Sequence, residues 1–285
     1  MRPIHEAWCF LIDITYYCGR GCIYCTRSDR HLGKRRYHMT LEEVEKAIVS
    51  YSPLAPIGLI GGEPQRHPEF NEICKLVQMH HPTPFALFTS IVPTDKERIK
   101  LISDTFWFVP LHEHSELQEM QFTHQPMTIA IKDAVRDEKL REMLIDDCWL
   151  QRKWCPTITK DGAFFCETGA SIARMMGMKG WDVEPGWWMR TPEMFGYQKE
   201  VCQYCGMAIP MKRQLMADKV EKISPSVLEL MKKNRLPLGK YEIFDREITV
   251  DEMKEALPTW TPGLYKKEQM SEQFQWSTLN WNEIT

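Results

Sequence analysis

Five short apolar runs, at residues 8–15, 57–60, 84–90, 106–112 and 127–131, alternate with segments of helical patterning. No other feature narrows the fold so far. Runs that are apolar at nearly every position suit strands buried on both faces, as in parallel sheets. The intervening segments carry helix signals of their own. Thr40 and Glu43 form a capping box that opens a helix to about residue 51. Phe70, Ile73, Cys74 and Val77 recur at helical spacing behind His67, and residues 95–103 and 133–146 continue the pattern. This alternation predicts an α/β fold, a parallel sheet with helices packed outside it. Five units are too few to close an eight-stranded barrel, so a partial, open (β/α) barrel is expected. Chemistry in such sheets collects at the C-terminal ends of strands. Here those ends are Thr15, Gly61-Gly62-Glu63, Thr89-Ser90, His112-Glu113-His114 and Lys132-Asp133.

The first strand runs straight into Cys18-Gly-Arg-Gly-Cys22-Ile-Tyr-Cys25, a C-x3-C-x2-C triplet. Three thiols within eight residues can wrap one metal centre, and Gly19 and Gly21 supply the backbone angles such a turn demands. Three is an informative number. A structural zinc site takes four protein ligands, and an ordinary ferredoxin cluster takes four cysteines. A cubane held by three keeps one iron for a ligand that is not protein; zinc and a chance cluster are the other readings. At the second strand end, two glycines let the backbone approach a ligand and Glu63 adds a carboxylate, although a plain strand-to-helix turn uses the same residues. Thr89 and Ser90 offer hydroxyls, to a ligand or to the next helix.

Of the ten cysteines, a second set follows residue 147, where the strand–helix rhythm stops. Cys155 and Cys166 flank an expected β-hairpin with Asp161-Gly162 as its turn, and Cys202 and Cys205 stand at C-x2-C spacing. These four can close a tetrathiolate site for zinc or for an iron–sulfur cluster. Cys148 is an alternative ligand, whereas Cys9 and Cys74 lie on apolar faces as core residues. Between the pairs, residues 180–192 carry Trp181, Trp187 and Trp188 in a Gly- and Pro-containing loop, suited to packing or to walling off water. A helix is expected over 226–233, then a charged tail with Trp260, Trp276 and Trp281. The expected domains are 1–146, 147–215 and 216–285.

With the triplet and its aromatic Tyr24 in view, the chain resembles the radical S-adenosylmethionine (SAM) superfamily, whose signature is C-x3-C-x-aromatic-C. The resemblance implies a [4Fe-4S] cluster on Cys18, Cys22 and Cys25 whose open iron chelates SAM, with Tyr24 beside it. It implies a family GGE motif at Gly61, Gly62 and Glu63 contacting the methionyl amino group, and polar positions at Thr89 and Ser90 near the SAM carboxylate or ribose. It also implies the partial barrel. The second cysteine set resembles the twitch domain, a shortened SPASM domain. By that resemblance Cys155, Cys166, Cys202 and Cys205 hold an auxiliary [4Fe-4S] cluster in a small, irregular α+β domain.

In such enzymes SAM is cleaved to a 5′-deoxyadenosyl radical that takes hydrogen from substrate, the cofactor carrying the hard chemistry. A four-cysteine cluster has no open iron, so its expected work is to accept an electron. The implied reaction is oxidation of a small polar substrate such as a sugar, aminocyclitol or nucleoside, fed by an external donor such as flavodoxin or ferredoxin. His112, His114 and Glu116, beside Glu113, are the candidate bases. Redox-neutral isomerisation or epimerisation, modification of a peptide or nucleic acid, and a non-catalytic zinc protein are the alternatives. A net charge of −3 argues against broad nucleic-acid binding. The basic run over 27–36 reads as a solvated loop or one that steers a phosphorylated substrate. With no signal peptide at the N-terminus and no membrane-length apolar run, a cytoplasmic, reducing location is expected.

Overall fold

The structure is a computed structural model that describes residues 1–33, 36–51, 55–80, 85–110, 123–153, 156–215, 218–260, 279–281, 283 and 284. Its strands are β1 (Phe10–Thr15), β2 (Ile57–Gly61), β3 (Phe85–Leu87), β4 (Phe106–Phe108), β5 (Thr123–His124), β6 (Thr157–Thr159), β7 (Gly162–Phe164), β8 (Gln214–Leu215), β9 (Glu221–Ile223) and β10 (Tyr241–Ile243). The helices are α1 (Asp29–Leu32), α2 (Leu41–Ser50), α3 (Phe70–His80), α4 (Lys96–Thr105), α5 (Ile131–Ala134), α6 (Glu138–Asp146), α7 (Trp149–Lys153), α8 (Glu167–Met176), α9 (Pro225–Lys233) and α10 (Val250–Ala256).

The main sheet has the order β4-β3-β2-β1-β6-β7. It is parallel from β4 through β6, and only β7 runs antiparallel. This is the parallel-dominated α/β architecture that the alternation predicts. Central β1 is buried at every position, which explains its near-continuous apolar run. Ile12 and Ile14 share a core with Val44, Ala47 and Ile48 of α2 and with Ile73, Cys74 and Val77 of α3. The Thr40–Glu43 capping box is formed in full. Asp95 caps α4 by accepting from the backbone of Glu97 and Arg98. Because β1 to β3 are parallel, their C-terminal ends share one edge of the sheet.

Two expectations are corrected. Residues 127–131 are not a strand; they turn and enter α5, and the sheet gains β6 instead. The backbone there is satisfied irregularly: Gly206 N donates to Met127 O at 2.9 Å, Ser224 N to Thr128 O at 3.1 Å, and Ala130 N to Ser224 Oγ at 2.9 Å. With those groups committed to distant loops, no ladder is available. The hairpin forms, but its register Thr159↔Gly162 makes Lys160-Asp161 the turn rather than Asp161-Gly162. A one-residue slip would turn the buried Ala163 and Phe164 to the opposite faces.

That hairpin does not stand apart from the main sheet, since β6 pairs with β1 through Leu11↔Thr157 and Ile12↔Ile158. Trp187 of the tryptophan loop packs against Phe10 and Tyr51 and donates to Ser50 Oγ at 3.3 Å. Phe10 begins β1, so this indole seals the end of the sheet opposite the cysteine loop. Trp260 is buried too, its indole donating to Gln125 Oε1 at 3.1 Å. Trp276 lies outside the described residues. Among the described residues no helix is long and apolar enough to cross a membrane.

Candidate active site

The loop after β1 is coiled by residues in left-handed backbone conformations: Gly19 (φ +82°), Gly21 (+61°), Tyr24 (+51°) and Ser28 (+51°). Cys18, Cys22 and Cys25 are each half-buried on it. Gly62 is the reason the next strand end can lie against this loop. A Cβ there would fall 2.6 Å from Tyr17 C and 2.8 Å from Cys18 N, both backbone atoms that cannot give way. The contact is sealed by Gly62 N donating to Thr15 O at 2.6 Å and Glu63 N to Tyr17 O at 2.9 Å.

Glu63 then joins the third strand end. Its Oε1 accepts from Thr89 Oγ1 at 2.6 Å and from Gln65 N at 3.1 Å. Its Oε2 accepts from Ser90 N and Ser90 Oγ, both at 2.7 Å. The side chain is buried and accepts four hydrogen bonds, so its carboxylate positions Thr89 and Ser90. Gln65 Nε2 donates to Thr89 Oγ1 at 2.9 Å and Ile91 O at 2.7 Å. Arg20, inside the triplet, closes the circuit by donating to Ser90 Oγ at 3.1 Å and Ser90 O at 3.3 Å. Gly61, Gly62, Glu63, Thr89 and Ser90 thus meet beside the cysteine loop. Gln65 and Arg20 belong with them, although no motif marked either residue.

Tyr24 faces the other way. Its phenol donates to Gln214 Oε1 and accepts from Lys222 N, both at 2.6 Å, anchoring the cysteine loop to β8 and β9. Burial, the largest influence, raises its pKa far above the usual tyrosine range. Arg27 is buried between Asp13 Oδ1 at 2.9 Å and Glu167 Oε2 at 2.7 Å. The basic run over 27–36 is therefore not simply a solvated loop: Arg27 and His31 are buried, and His31 Nε2 lies 2.9 Å from Glu221 Oε2. Asp13 was the overlooked signal, because a carboxylate inside an apolar strand needs a partner.

Beside the loop, Tyr17 stacks on His38 with ring centroids 4.4 Å apart. Thr15 Oγ1 donates to Tyr37 O and accepts from Tyr17 N, so at 3.0 Å it is also the acceptor for the His38 Nδ1 proton. That fixes the tautomer and leaves Nε2 as an acceptor. Burial and then His67 lower the His38 pKa, keeping it neutral.

In the second cysteine set, Cys166 caps α8, while Cys202 and Cys205 lie on and just after the 3-10 segment Gly196–Tyr204. Cys155, together with the candidate bases His112, His114 and Glu116 and their neighbour Glu113, lies outside the described residues.

Among the described residues, no three His, Cys, Asp or Glu side chains are gathered as a site for a single ion. The triplet nevertheless fits a larger cluster. Three part-accessible thiols sit on one coiled loop, against a glycine cradle that a Cβ would fill.

Residues 12–128 match the model of the Radical SAM superfamily. No curated protein matches the chain. Among solved structures, the crystal structure of BtrN in complex with AdoMet and 2-DOIA is similar at 13% identity and a TM-score of 0.46, over 70% of this chain and 88% of that one. The matched stretch, residues 12–128, holds the triplet, the Gly61-Gly62-Glu63 turn and the Thr89-Ser90 pair, and in these it is similar to radical SAM domains.

Proposed function

We propose that this chain oxidises a small polar substrate, of the sugar, aminocyclitol or nucleoside class, by radical SAM chemistry. The observation that supports the radical step is the hydrogen-bonded circuit from Arg20 through Ser90 and Glu63 to Thr89, which draws three strand ends together around the cysteine loop. When bound, the three-cysteine cluster and SAM supply a 5′-deoxyadenosyl radical for hydrogen abstraction, and an auxiliary cluster on the second cysteine set supplies an electron acceptor. Converting a secondary alcohol carbon to a ketone removes one hydrogen atom, one proton and one electron, so two such groups and a base account for the balance.

Each part of the chain has a task in that scheme. Cys18, Cys22 and Cys25 hold the first cluster, and Gly61 and Gly62 bring main chain close to SAM. Thr89 and Ser90 are held ready by Glu63 for its polar end. His112, His114 and Glu116 are the proposed bases. An external flavodoxin- or ferredoxin-like protein supplies the reducing electron. The test is anaerobic turnover with SAM, a reductant and a panel of candidate sugars, aminocyclitols and nucleosides. One 5′-deoxyadenosine per ketone is the expected result. Product isomerised with no net oxidation would overturn the oxidative reading, and a colourless zinc protein would overturn the radical one.

A further inference from the structure

The hairpin suggests Cys155, which lies outside the described residues, as the partner of Cys166; the packing also brings Cys148 to the second set. Cys148, Cys166, Cys202 and Cys205 line one cavity, whose wall is completed by apolar side chains such as Phe165 and Val201. Cys148 sits between α6 and α7, and the helix that follows it is bonded to the chain beside two of the other cysteines. Next to it, Trp149 Nε1 donates to Met207 O at 3.0 Å, two residues past Cys205. One turn on, Gln151 Nε2 donates to Phe165 O at 3.1 Å, one residue before Cys166. Side-chain bonds of this kind fix where α7 begins, and with it the position of Cys148.

Backbone donors reach two of the four sulfurs. Met207 N lies 3.4 Å from Cys205 Sγ, and the backbone of Thr168 and Gly169 donates to the Cys166 sulfur. Hydrogen bonds to ligand sulfurs are a standard means of tuning an iron–sulfur cluster.

We propose that Cys148, Cys166, Cys202 and Cys205 are the four protein ligands of the auxiliary cluster. This rests on the reading that a second cluster is present. The four thiols ring a cavity and are not drawn together on one point, an arrangement that suits a multi-iron cubane more than a single zinc ion.

The experiment uses the full chain with Cys18, Cys22 and Cys25 replaced by alanine, reconstituted anaerobically with iron and sulfide. About four irons per chain and a cluster absorption band are expected from the second site alone. Adding Cys155→Ala should leave both unchanged, whereas adding Cys148→Ala should remove both. Cys148→Ser guards against simple misfolding: with circular dichroism unchanged, it should retain iron but shift the electron paramagnetic resonance and Mössbauer signals of the reduced cluster. Iron retained in Cys148→Ala and lost in Cys155→Ala would overturn the ligand assignment while leaving the second cluster standing. A triple-alanine chain that binds zinc and no iron would overturn the cluster reading itself.

Discussion

Glu63 holds Ser90 twice through one oxygen, accepting from its backbone N–H and its hydroxyl at 2.7 Å each. The other oxygen accepts from Thr89 and Gln65, so one buried carboxylate carries the alignment of the second and third strand ends. Glu63→Gln replaces an acceptor oxygen with a donor that must face Ser90 or Thr89. It is expected to cost about 1–3 kcal/mol of stability, measured by urea unfolding, because buried donors lose their acceptor. SAM binding by equilibrium dialysis should weaken in parallel.

Gly62→Ala tests the cradle. The added methyl would overlap the Tyr17 carbonyl, 2.7 Å away, and the backbone must move. The cysteine loop starts at that point. The variant is expected to lose about four irons per chain relative to the wild type, read by iron analysis after reconstitution, with the iron of the second site retained.

Arg27 neutralises two buried carboxylates, Asp13 and Glu167. Arg27→Met would strand both, and breaking a buried pair from one side costs about 3–5 kcal/mol. Arg27→Lys should recover only part of this, since one ammonium lacks the fork that spans the two acids. Chemical denaturation of the three proteins checks the order.

The same triad gives stability a pH dependence. Burial, the largest influence, raises the Asp13 carboxyl to about 6, against the pull of Arg27 and with help from Glu167. An unfolded aspartate titrates near about 4. The folded state therefore keeps a proton that the unfolded chain releases between those values. The stabilisation from this group is fully present below about pH 4 and is lost as pH rises through about 6. Unfolding free energies from pH 4 to 7.5 should show this downward contribution in the wild type minus Asp13→Asn difference. A flat difference would refute it.

Tyr24→Phe should separate anchoring from cluster binding. Lys222 N and Gln214 lose their shared phenol, at an expected cost of about 1–3 kcal/mol, while iron content stays at the wild-type level. Loss of iron would make the phenol a part of the cluster site.

The sequence announced most of the parallel sheet and three of its strand ends because those features are local. A capping box spans four residues, and α3 shows its buried face through a repeat of three and four. What stayed hidden depends on partners far along the chain. Arg27 meets Asp13 across 14 residues and Glu167 across 140. Residues 127–131 are apolar enough for a strand, yet Gly206 and Ser224 take their backbone groups, and no periodicity reports that. Arg20 lies between the motif cysteines and Gln65 just past the Gly61–Pro64 turn, and only folding shows that both reach the third strand end.

One strand, β1, ends in the first cysteine loop and is also the strand on which the hairpin leading to Cys166 is built. Ladder hydrogen bonds and the Arg27 clamp thus tie the two sulfur-rich regions together. On the proposed electron path, the distance an electron tunnels would therefore be held by the same ladder that orders the sheet.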